Sequence, residues 1–325
     1  MKKVSILVPE SSVMQAIADP QYLFTTVNHF LISRGKSPLF EVELVGAQRE
    51  VKLNNGSYSI HTDRLLKEVK KTDLVFVPAL FGDMTQAIEQ NKQAIPWIVE
   101  QYNHGAEVAS LCVGAFLLAS TGLLNGKKCS THWGFQSEFR EKFPEVEVVE
   151  GSIVTEEKRI YSSGGANSYW NLLLHLVEKY TNRETAILAS KYFAIDIDRN
   201  SQAAFAMFKG QKNHQDAEIL RAQQFIEDHI HERVTIDELA EQTCLSRRTF
   251  ERRFRQATNN SVLEYIHRVK IEAAKRSFES SRKNINEVMF DVGYTDTKAF
   301  RTMFKKVTGL SPIEYRNKYN KQVVA

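Results

Sequence analysis

Short apolar runs alternate with amphipathic stretches over roughly the first two thirds of this 325-residue chain. The apolar runs have the length and the β-branched content of buried strands. They cover residues 4–8, 40–45, 74–78, 108–112, 146–154 and 159–162. The helical stretches cover residues 22–33, 62–70, 97–104, 114–121 and 168–180. This alternation predicts a doubly wound α/β domain, in which a mostly parallel sheet carries helices on both faces.

Beyond a polar stretch at 209–216 the pattern becomes purely helical. Thr235, Ser261, Asn284 and Ser311 are each followed three residues later by Glu, the arrangement of a capping box at a helix start. The predicted helices are 217–231, 235–242, 246–257, 261–280, 284–291, 296–307 and 311–319. We therefore predict a first domain at 1–208, a linker at 209–216 and an all-α domain at 217–325.

The helical domain contains a repeat with a period of about fifty residues. Its first copy carries Phe250, Phe254, Thr258, Ser261, Glu264 and Tyr265, and its second carries Phe300, Phe304, Thr308, Ser311, Glu314 and Tyr315. Two helices joined by a short turn form the helix-turn-helix motif, whose second helix enters the major groove of DNA. The repeat predicts two such units, near 235–257 and 284–307.

The paired phenylalanines set the buried side of each second helix and leave polar side chains outside. The predicted DNA-binding residues are Arg247, Arg248, Glu251 and Arg252 in the first copy, and Thr297, Lys298, Arg301 and Thr302 in the second. Arginine can pair bidentately with guanine, although each side chain could instead contact phosphate or only solvent. The connecting helix spans about 28 Å, close to the roughly 34 Å between successive major-groove faces.

Charge is distributed unevenly along the chain. The formal net charge is +4, yet the segment from Cys244 onward holds 18 Lys and Arg against 8 Asp and Glu. A basic C-terminal segment that follows an acidic N-terminal part indicates a polyanionic partner. No apolar run is long enough to cross a membrane, and three cysteines provide no disulfide framework. We expect a cytoplasmic protein without a metal or a cofactor.

Cys112 stands at a predicted strand-to-helix turn, with the small residues Ser110 and Gly114 two positions before and after it. This is the form of a nucleophile elbow, and the helix N-terminus behind it would favour the thiolate. His132 could come near the sulfur and support nucleophilic catalysis. A small buried cysteine in a tight turn is the alternative interpretation.

The helical segment 217–320 resembles the DNA-binding domain of AraC/XylS-family transcription regulators. The resemblance rests on LAEQTCLSRRTFERRFRQATNNSVLEYI and on INEVMFDVGYTDTKAFRTMFKKVTGLSPIEYR, which includes the closing GxSPxxYR. One departure is Asn259-Asn260-Ser261-Val262, where the first copy more often carries Gly and Ser-Pro. The resemblance implies double-stranded DNA and RNA polymerase as partners, and activation more often than repression.

Residues 3–190 resemble the PfpI-type, class I glutamine-amidotransferase-like fold, a flavodoxin-like α/β domain. The motifs are ASLCVGAFLLASTGLLNGKKCSTHW and SSGGANSYWNLLLHLVEKY, and IDIDRNSQAAF resembles the regulators that join this fold to an AraC-type tail. Enzymes of the fold often have His after the cysteine and an acidic residue in the loop of the first strand. Here Val113 and Ala16 stand at those positions, and Asp19 lies at a different offset.

These departures predict a pocket that binds a ligand and carries no catalytic residue. Its predicted wall is formed by Cys112, Val113, His132 and Trp133, with loops 9–20, 79–83 and 164–167 around them. The leading hypothesis is a homodimeric transcription regulator, controlled by a small-molecule effector bound in the N-terminal ligand-sensing and dimerisation domain. The alternatives are a cysteine-dependent amidase or glyoxalase-like enzyme fused to a DNA-binding domain, and a thiol redox sensor at Cys112.

Overall fold

A computed structural model describes residues 1–320 of the chain. The backbone divides into two compact units, one from Met1 to Gln202 and one from Ala203 onward. The division lies a few residues before the predicted domain end at 208. Residues 203–216, which include the predicted linker 209–216, belong to the helical unit. The ligand-sensing and dimerisation roles assigned to the first domain remain predictions.

The first unit is built on a mostly parallel, seven-stranded sheet. The strands of this unit are β1 (Lys2–Leu7), β2 (Phe40–Gly46), β3 (Glu50–Leu53), β4 (Tyr58–His61), β5 (Arg64–Leu65), β6 (Leu74–Val77), β7 (Glu107–Ser110), β8 (Lys128–Cys129), β9 (Glu147–Val148), β10 (Val154–Glu157) and β11 (Ile160–Ser163). The order in the seven-stranded sheet is β10-β11-β7-β6-β1-β2-β5, and all of its strand pairs are parallel except β10 with β11. The central strand β6 is apolar and buried along its whole length, as a parallel strand covered by helices on both faces must be.

Seven helices accompany this sheet among the described residues. They are α1 (Gln15–Ser33), α2 (Met84–Gln90), α3 (Ala94–Asn103), α4 (Ala115–Ala119), α5 (Gln136–Lys142), α6 (Tyr169–Tyr180) and α7 (Arg183–Phe193). One continuous apolar core joins the strands to the inner faces of the helices. The predicted α/β class is confirmed, and the predicted helix at 168–180 lies where α6 is found.

Two predicted elements of this unit are wrong. Residues 62–70 form no α-helix, because Arg64 and Leu65 pair with β2 at the sheet edge and a 3-10 turn follows. The carboxylate of Asp63 accepts a hydrogen bond from the Leu44 N–H at 2.7 Å, which holds this segment extended. The predicted strand 146–154 is interrupted at Gly151, whose φ of 73° is outside the strand region. Only Glu147–Val148 and the strand from Val154 remain.

The second unit is helical, and its helices begin where the predicted caps stand. They are α8 (Ala217–Asp228), α9 (Ile236–Gln242), α10 (Arg247–Thr258), α11 (Val262–Ser280), α12 (Ile285–Asp291), α13 (Thr297–Thr308) and α14 (Pro312–Tyr319). All four predicted capping boxes form, with the cap side chain bound to the amide three residues on and the Glu bound back to the cap amide. The predicted all-α fold with two helix-turn-helix units is confirmed.

Helix α11 contributes to two separate apolar cores. Its first half packs with α8, α9 and α10 around Phe250, Phe254 and Tyr265. Its second half packs with α12, α13 and α14 around Phe300 and Phe304. The two helix-turn-helix units are therefore held on one continuous helix. Within residues 1–320, no helix combines the length and the apolar character that crossing a bilayer requires.

Candidate functional site

The backbone around Cys112 has the geometry of a nucleophile elbow. Cys112 lies two residues after the end of β7 and has a φ of 55°, a left-handed conformation that side-chain-bearing residues seldom adopt. A Cβ on Gly114 would lie 2.4 Å from the carbonyl oxygen of Val77 and 2.5 Å from that of Pro78. The small residue two positions after the cysteine is therefore required by the close approach of β6.

Cys112 lies in a buried environment that disfavours the thiolate. The residue is 6% exposed, and burial raises the pKa of the thiol to about 12, although a hydrogen bond from the Val113 N–H acts in the opposite direction. The sequence expectation that the following helix would favour the thiolate is wrong for this environment. Helix α4 is only five residues long, so the stabilisation that its N-terminus gives the thiolate is smaller than the destabilisation caused by the loss of hydration.

His132 is bound to the backbone of its own turn. Its Nδ1 accepts a hydrogen bond from the Gly134 N–H at 3.0 Å, and its ring lies 5.2 Å from the Trp133 ring. Burial lowers the pKa of His132, so the ring is neutral near pH 7. Among the hydrogen bonds of residues 1–320, none joins His132 to the Cys112 thiol.

The nearby acid, Asp19, is turned toward helix α6. Its carboxylate accepts hydrogen bonds from the Tyr169 hydroxyl at 2.7 Å and from the Trp170 indole N–H at 2.9 Å. Burial raises the pKa of Tyr169, and the hydrogen bond to Asp19 and the negative charge of that carboxylate act in the same direction. The sequence analysis did not identify the contact between Tyr169 and Asp19.

Gln202 holds the segment that carries His132 and Trp133. Its Nε2 donates to the carbonyl oxygens of Thr131 at 2.9 Å and Ser152 at 3.0 Å, and its Oε1 accepts from the Trp133 N–H at 3.2 Å. A Cβ on Gly164 would lie 2.0 Å from this amide. Gln202 belongs to the IDIDRNSQAAF stretch, which was the only sequence signal for it.

The other predicted walls meet beside the elbow. The loop after β1 and the loop after β6 pair through Ser12 and Leu80, and the Val13 N–H donates to the Ala79 carbonyl oxygen at 2.8 Å. The predicted effector-pocket residues Cys112 and Val113 are buried, and His132 and Trp133 are half-buried. Their use in binding remains a prediction.

An open groove of about 550 Å³ lies at the end of the sheet that is opposite to Cys112. It is lined by Leu66, Lys67, Val69, Lys70, Gln93, Pro96, Trp97, Glu100 and His104. These residues precede the amino ends of β6 and β7, whereas Cys112 follows the carboxyl end of β7. The groove includes none of the predicted effector-pocket residues.

In the first helix-turn-helix unit, the predicted DNA-reading side chains are of two kinds. Arg248 and Arg252 are exposed, and neither has a hydrogen-bond or ion-pair partner among the described residues. Arg247 is instead bound to Asp237, with its Nη1 3.1 Å from the carboxylate, and lies 3.7 Å from Glu251. Two of the three arginines are therefore available to DNA without breaking a contact.

The second unit presents its predicted residues more uniformly. Lys298, Arg301 and Thr302 are exposed on α13, and Thr297 is half-buried at its first turn. Within the part of the chain that the structure describes, Lys298 and Arg301 form no ion pair. Both helices thus carry free basic side chains opposite their phenylalanines.

Within residues 1–320 there is no group of three or more His, Cys, Asp and Glu side chains placed to hold a metal ion. The three cysteines are unpaired, with Cys112 and Cys129 buried and Cys244 exposed. Burial also raises the pKa of Cys129 to about 12.

Two family models match the chain. A model of the DJ-1/PfpI family matches residues 31–179, and a model described as a helix-turn-helix domain matches residues 239–318. The HTH-type transcriptional regulator ArgR of Pseudomonas aeruginosa is 27% identical over 214 residues, which are 66% of this chain and 65% of the relative. The HTH-type transcriptional regulator CdhR of the same organism is 24% identical over 315 residues, which are 96% of this chain and 90% of the relative.

The chain thus spans slightly less than two thirds of ArgR and most of CdhR. Among solved structures, an AraC family transcriptional regulator from Pseudomonas putida is similar with a TM-score of 0.51 at 18% identity, over 59% of this chain and 100% of that chain. This likeness supports the fold. The chain thus carries a segment that matches the DJ-1/PfpI family model, followed by a segment that matches the helix-turn-helix domain model.

Proposed function

We propose that the protein is a sequence-specific DNA-binding transcription regulator, controlled by a small metabolite bound in its N-terminal domain. The observation that carries this proposal is the pair of helices α10 and α13, both mounted on α11 and both presenting exposed, unpaired basic side chains. Basic helices on a rigid frame match the charge and the periodicity of a DNA groove.

The spacing supports recognition by one protomer of two neighbouring groove segments. Helix α11 has 19 residues, which corresponds to a length of about 28 Å. Successive major-groove faces on one side of a duplex are about 34 Å apart, so modest bending of the DNA would bring both into reach. Arg248, Arg252, Arg301 and Lys298 are the side chains that we assign to base or phosphate contacts.

For the N-terminal domain we propose binding without turnover. A buried thiol with a raised pKa, a histidine bound to a backbone amide and an acid bound to Tyr169 and Trp170 do not form a nucleophile, base and orienting group. The half-buried His132 and Trp133 provide an aromatic wall for a small effector. These features argue against both an amidase or glyoxalase-like activity and a thiol redox sensor at Cys112.

The remaining assignments are part of the proposal. The AraC-type resemblance implies a contact with RNA polymerase and activation as the usual effect. The resemblance of the N-terminal domain implies a homodimer formed through it, and action in the cytoplasm is the expectation from the sequence. The relatives' names support transcriptional regulation as the activity.

The proposal is tested by mapping where the full-length protein binds on its host's DNA. Sharp sites upstream of a few operons are expected for the wild type, and the double variant Arg252→Ala with Arg301→Ala should lose them. The variant Arg276→Ala removes an exposed charge outside the two recognition helices and should keep the sites. Uniform, unlocalised binding by the wild type would overturn the proposal.

The same map with Cys112→Ala tests the binding role of the elbow. Altered transcriptional output at unchanged sites is expected if the thiol lines the effector pocket. Unchanged output would make Cys112 a structural residue of the turn.

A further inference from the structure

Residues 203–216, which we call the strap, cross the helical unit from its second half to its first. At the start of the strap, the Ala204 carbonyl oxygen accepts a hydrogen bond from the Tyr319 hydroxyl at 3.2 Å. The Phe205 ring lies 4.7 Å from the ammonium group of Lys318. These contacts attach the strap to α14, the last helix of the second helix-turn-helix unit.

The middle of the strap is bound to α11 by a buried ion pair. Lys275 and Glu272 are 3% and 8% exposed, and their charged groups are 2.7 Å apart. The Lys275 ammonium donates to the Ala206 carbonyl oxygen at 2.5 Å, and the Glu272 carboxylate accepts from the Phe208 N–H at 3.1 Å. Buried charges need such additional hydrogen bonds to offset lost hydration, so the strap backbone completes the pair.

The end of the strap is attached to the first helix-turn-helix unit. Gly210 has a φ of 68°, and a Cβ there would lie 2.4 Å from the Tyr265 hydroxyl. Asp216 caps α8 and receives two hydrogen bonds, at 2.9 and 2.6 Å, from Arg253 of the recognition helix α10. The strap therefore contacts both halves of the DNA-binding unit and holds one recognition helix directly.

The residue immediately before the strap is fixed in the wall of the candidate effector pocket. Gln202 is 1% exposed, its side chain binds Thr131, Trp133 and Ser152, and its N–H donates to the Gly151 carbonyl oxygen at 2.8 Å. Only Ala203 separates it from the first strap anchor at Ala204. Since one extended residue spans at most about 3.6 Å, the first strap anchor must stay within a few ångströms of Gln202.

We propose that the strap is the regulatory connection between the two units, with Gln202 as the positioning residue that reports the state of the Thr131–Trp133 segment. This inference rests on the proposed function. An effector that displaces the segment displaces Gln202, and the strap transfers that displacement to α14, α11 and α10. The mutual placement of the two recognition helices then differs between the ligand-free and ligand-bound states, which is the differential interaction that regulation requires.

The test uses DNA as the probe, because coupling between two binding sites is reciprocal. Duplexes are first selected from a random pool with the full-length wild-type protein. Amide hydrogen exchange is then measured with and without a saturating selected duplex. We expect DNA binding to change the exchange rates of residues 129–134 by about fivefold or more, the lower end of typical coupling.

Two variants interrupt the connection at different points. Gln202→Leu removes the side-chain hydrogen bonds to Thr131, Trp133 and Ser152. Insertion of Gly-Ser-Gly between Gln202 and Ala203 keeps every contact of Gln202 and of the strap but adds slack. In both variants, the DNA-induced change at residues 129–134 should disappear while the selected duplex is still bound. The same insertion after Asn55, in the exposed β3–β4 turn, is the matched control and should leave the change intact.

The proposal is overturned if wild-type residues 129–134 do not respond to DNA, or if their response survives the insertion at 202. It is also overturned if that insertion abolishes DNA binding, since the strap contacts remain available. Should Gln202→Leu fail to fold, the insertion variant alone decides. Failure of the proposed function is distinct, because no duplex would then be enriched from the pool in the first step.

Discussion

The two helix-turn-helix units bury the same pair of phenylalanines, each in its own core, but they differ where the backbone must turn. Phe250 and Phe254 are fully buried in the first unit, as Phe300 and Phe304 are in the second. The turn between the two helices contains Cys244 with a φ of 53° in one unit and Gly293 with a φ of 71° in the other. The same left-handed position is therefore occupied by a residue that resists it and by one that adopts it freely.

The difference recurs at the end of the recognition helices. Asn259, with a φ of 53°, follows α10, whereas Gly309, with a φ of 75°, follows α13. Asparagine tolerates this conformation better than most residues, but less well than glycine. The first unit thus holds two strained positions where the second holds two glycines, and it also depends on the Asp216–Arg253 contact with the strap. The comparison indicates that the first unit has the more strained backbone and is the one whose recognition helix the strap contacts through Arg253.

The largest expected effect comes from removing the glycine of the second turn. A Cβ at position 293 would lie 2.6 Å from the His231 carbonyl oxygen and 2.6 Å from the Lys270 ammonium group. Gly293→Ala combines this clash with a left-handed backbone and should lower the free energy of unfolding by about 2–3 kcal/mol. Urea denaturation of the full-length protein measures it. A loss below about 0.5 kcal/mol would remove the asymmetry between the turns.

The second prediction concerns base recognition by the two readers. Arg252→Ala and Arg301→Ala should each weaken binding to a selected duplex by about 1–3 kcal/mol if the arginine pairs with a base. Each should relax sequence preference in a different part of the site, which competition with single-base variants of the duplex would reveal. Arg276→Ala serves as the charge-matched control. An equal loss on every duplex would reassign the arginine to a phosphate contact.

The third prediction sharpens the comparison through pH. The hydrogen bonds from Arg253 hold the pKa of Asp216 below its usual range. A carboxylate with a lowered pKa in the folded state stabilises the fold above its unfolded pKa, and this contribution is lost as the pH falls through the folded value. Asp216→Asn keeps a good cap for α8 and should flatten the loss of stability between about pH 5 and pH 2. If the free energies of unfolding of the wild type and the variant, taken from denaturation curves, fell in parallel over that pH range, the stabilising role of the Asp216–Arg253 contact would be contradicted.

The smallest expected effect is an increase in the stability of the folded protein. Cys244→Gly places glycine in the left-handed turn of the first unit, where the cysteine side chain is exposed and no core contact is lost. We expect the free energy gained by relieving backbone strain to exceed the entropic cost of a more flexible unfolded chain by about 0.5 kcal/mol. Thermal unfolding followed by circular dichroism should detect a raised midpoint. A lowered midpoint would mean that the turn is not strained.

The helix boundaries of the second unit were predicted closely because each helix start is determined by residues that are close in the sequence. Each cap side chain and the Glu three residues later bind one another's backbone, so the boundary follows from a few neighbouring residues. Residues 209–216 are polar and show no period, so the sequence predicts a linker for this part of the strap, and it places residues 203–208 in the first domain. Its attachment depends on backbone carbonyls and on Lys275, far away in the sequence, which no local pattern reveals.

The elbow was predicted from small residues around Cys112, and its backbone has that form. The surrounding chemistry was not predictable, because it depends on which side chains the fold brings together. Asp19 is bound to Tyr169 and Trp170, some 150 residues away in the chain. The raised pKa of Cys112 likewise results from burial by distant segments. The predicted effector-binding and DNA-binding residues themselves remain predictions.

Because one uninterrupted helix, α11, supplies side chains to both cores, the two recognition helices can shift relative to one another only as far as this helix and its packing allow. A DNA duplex turns by about 35° for each base pair, so one inserted base pair would rotate half of a binding site out of register. Promoters served by such a protein should therefore tolerate drift in individual bases more readily than any insertion or deletion between the two halves. Over evolutionary time, spacing would be the most strictly retained property of its regulon.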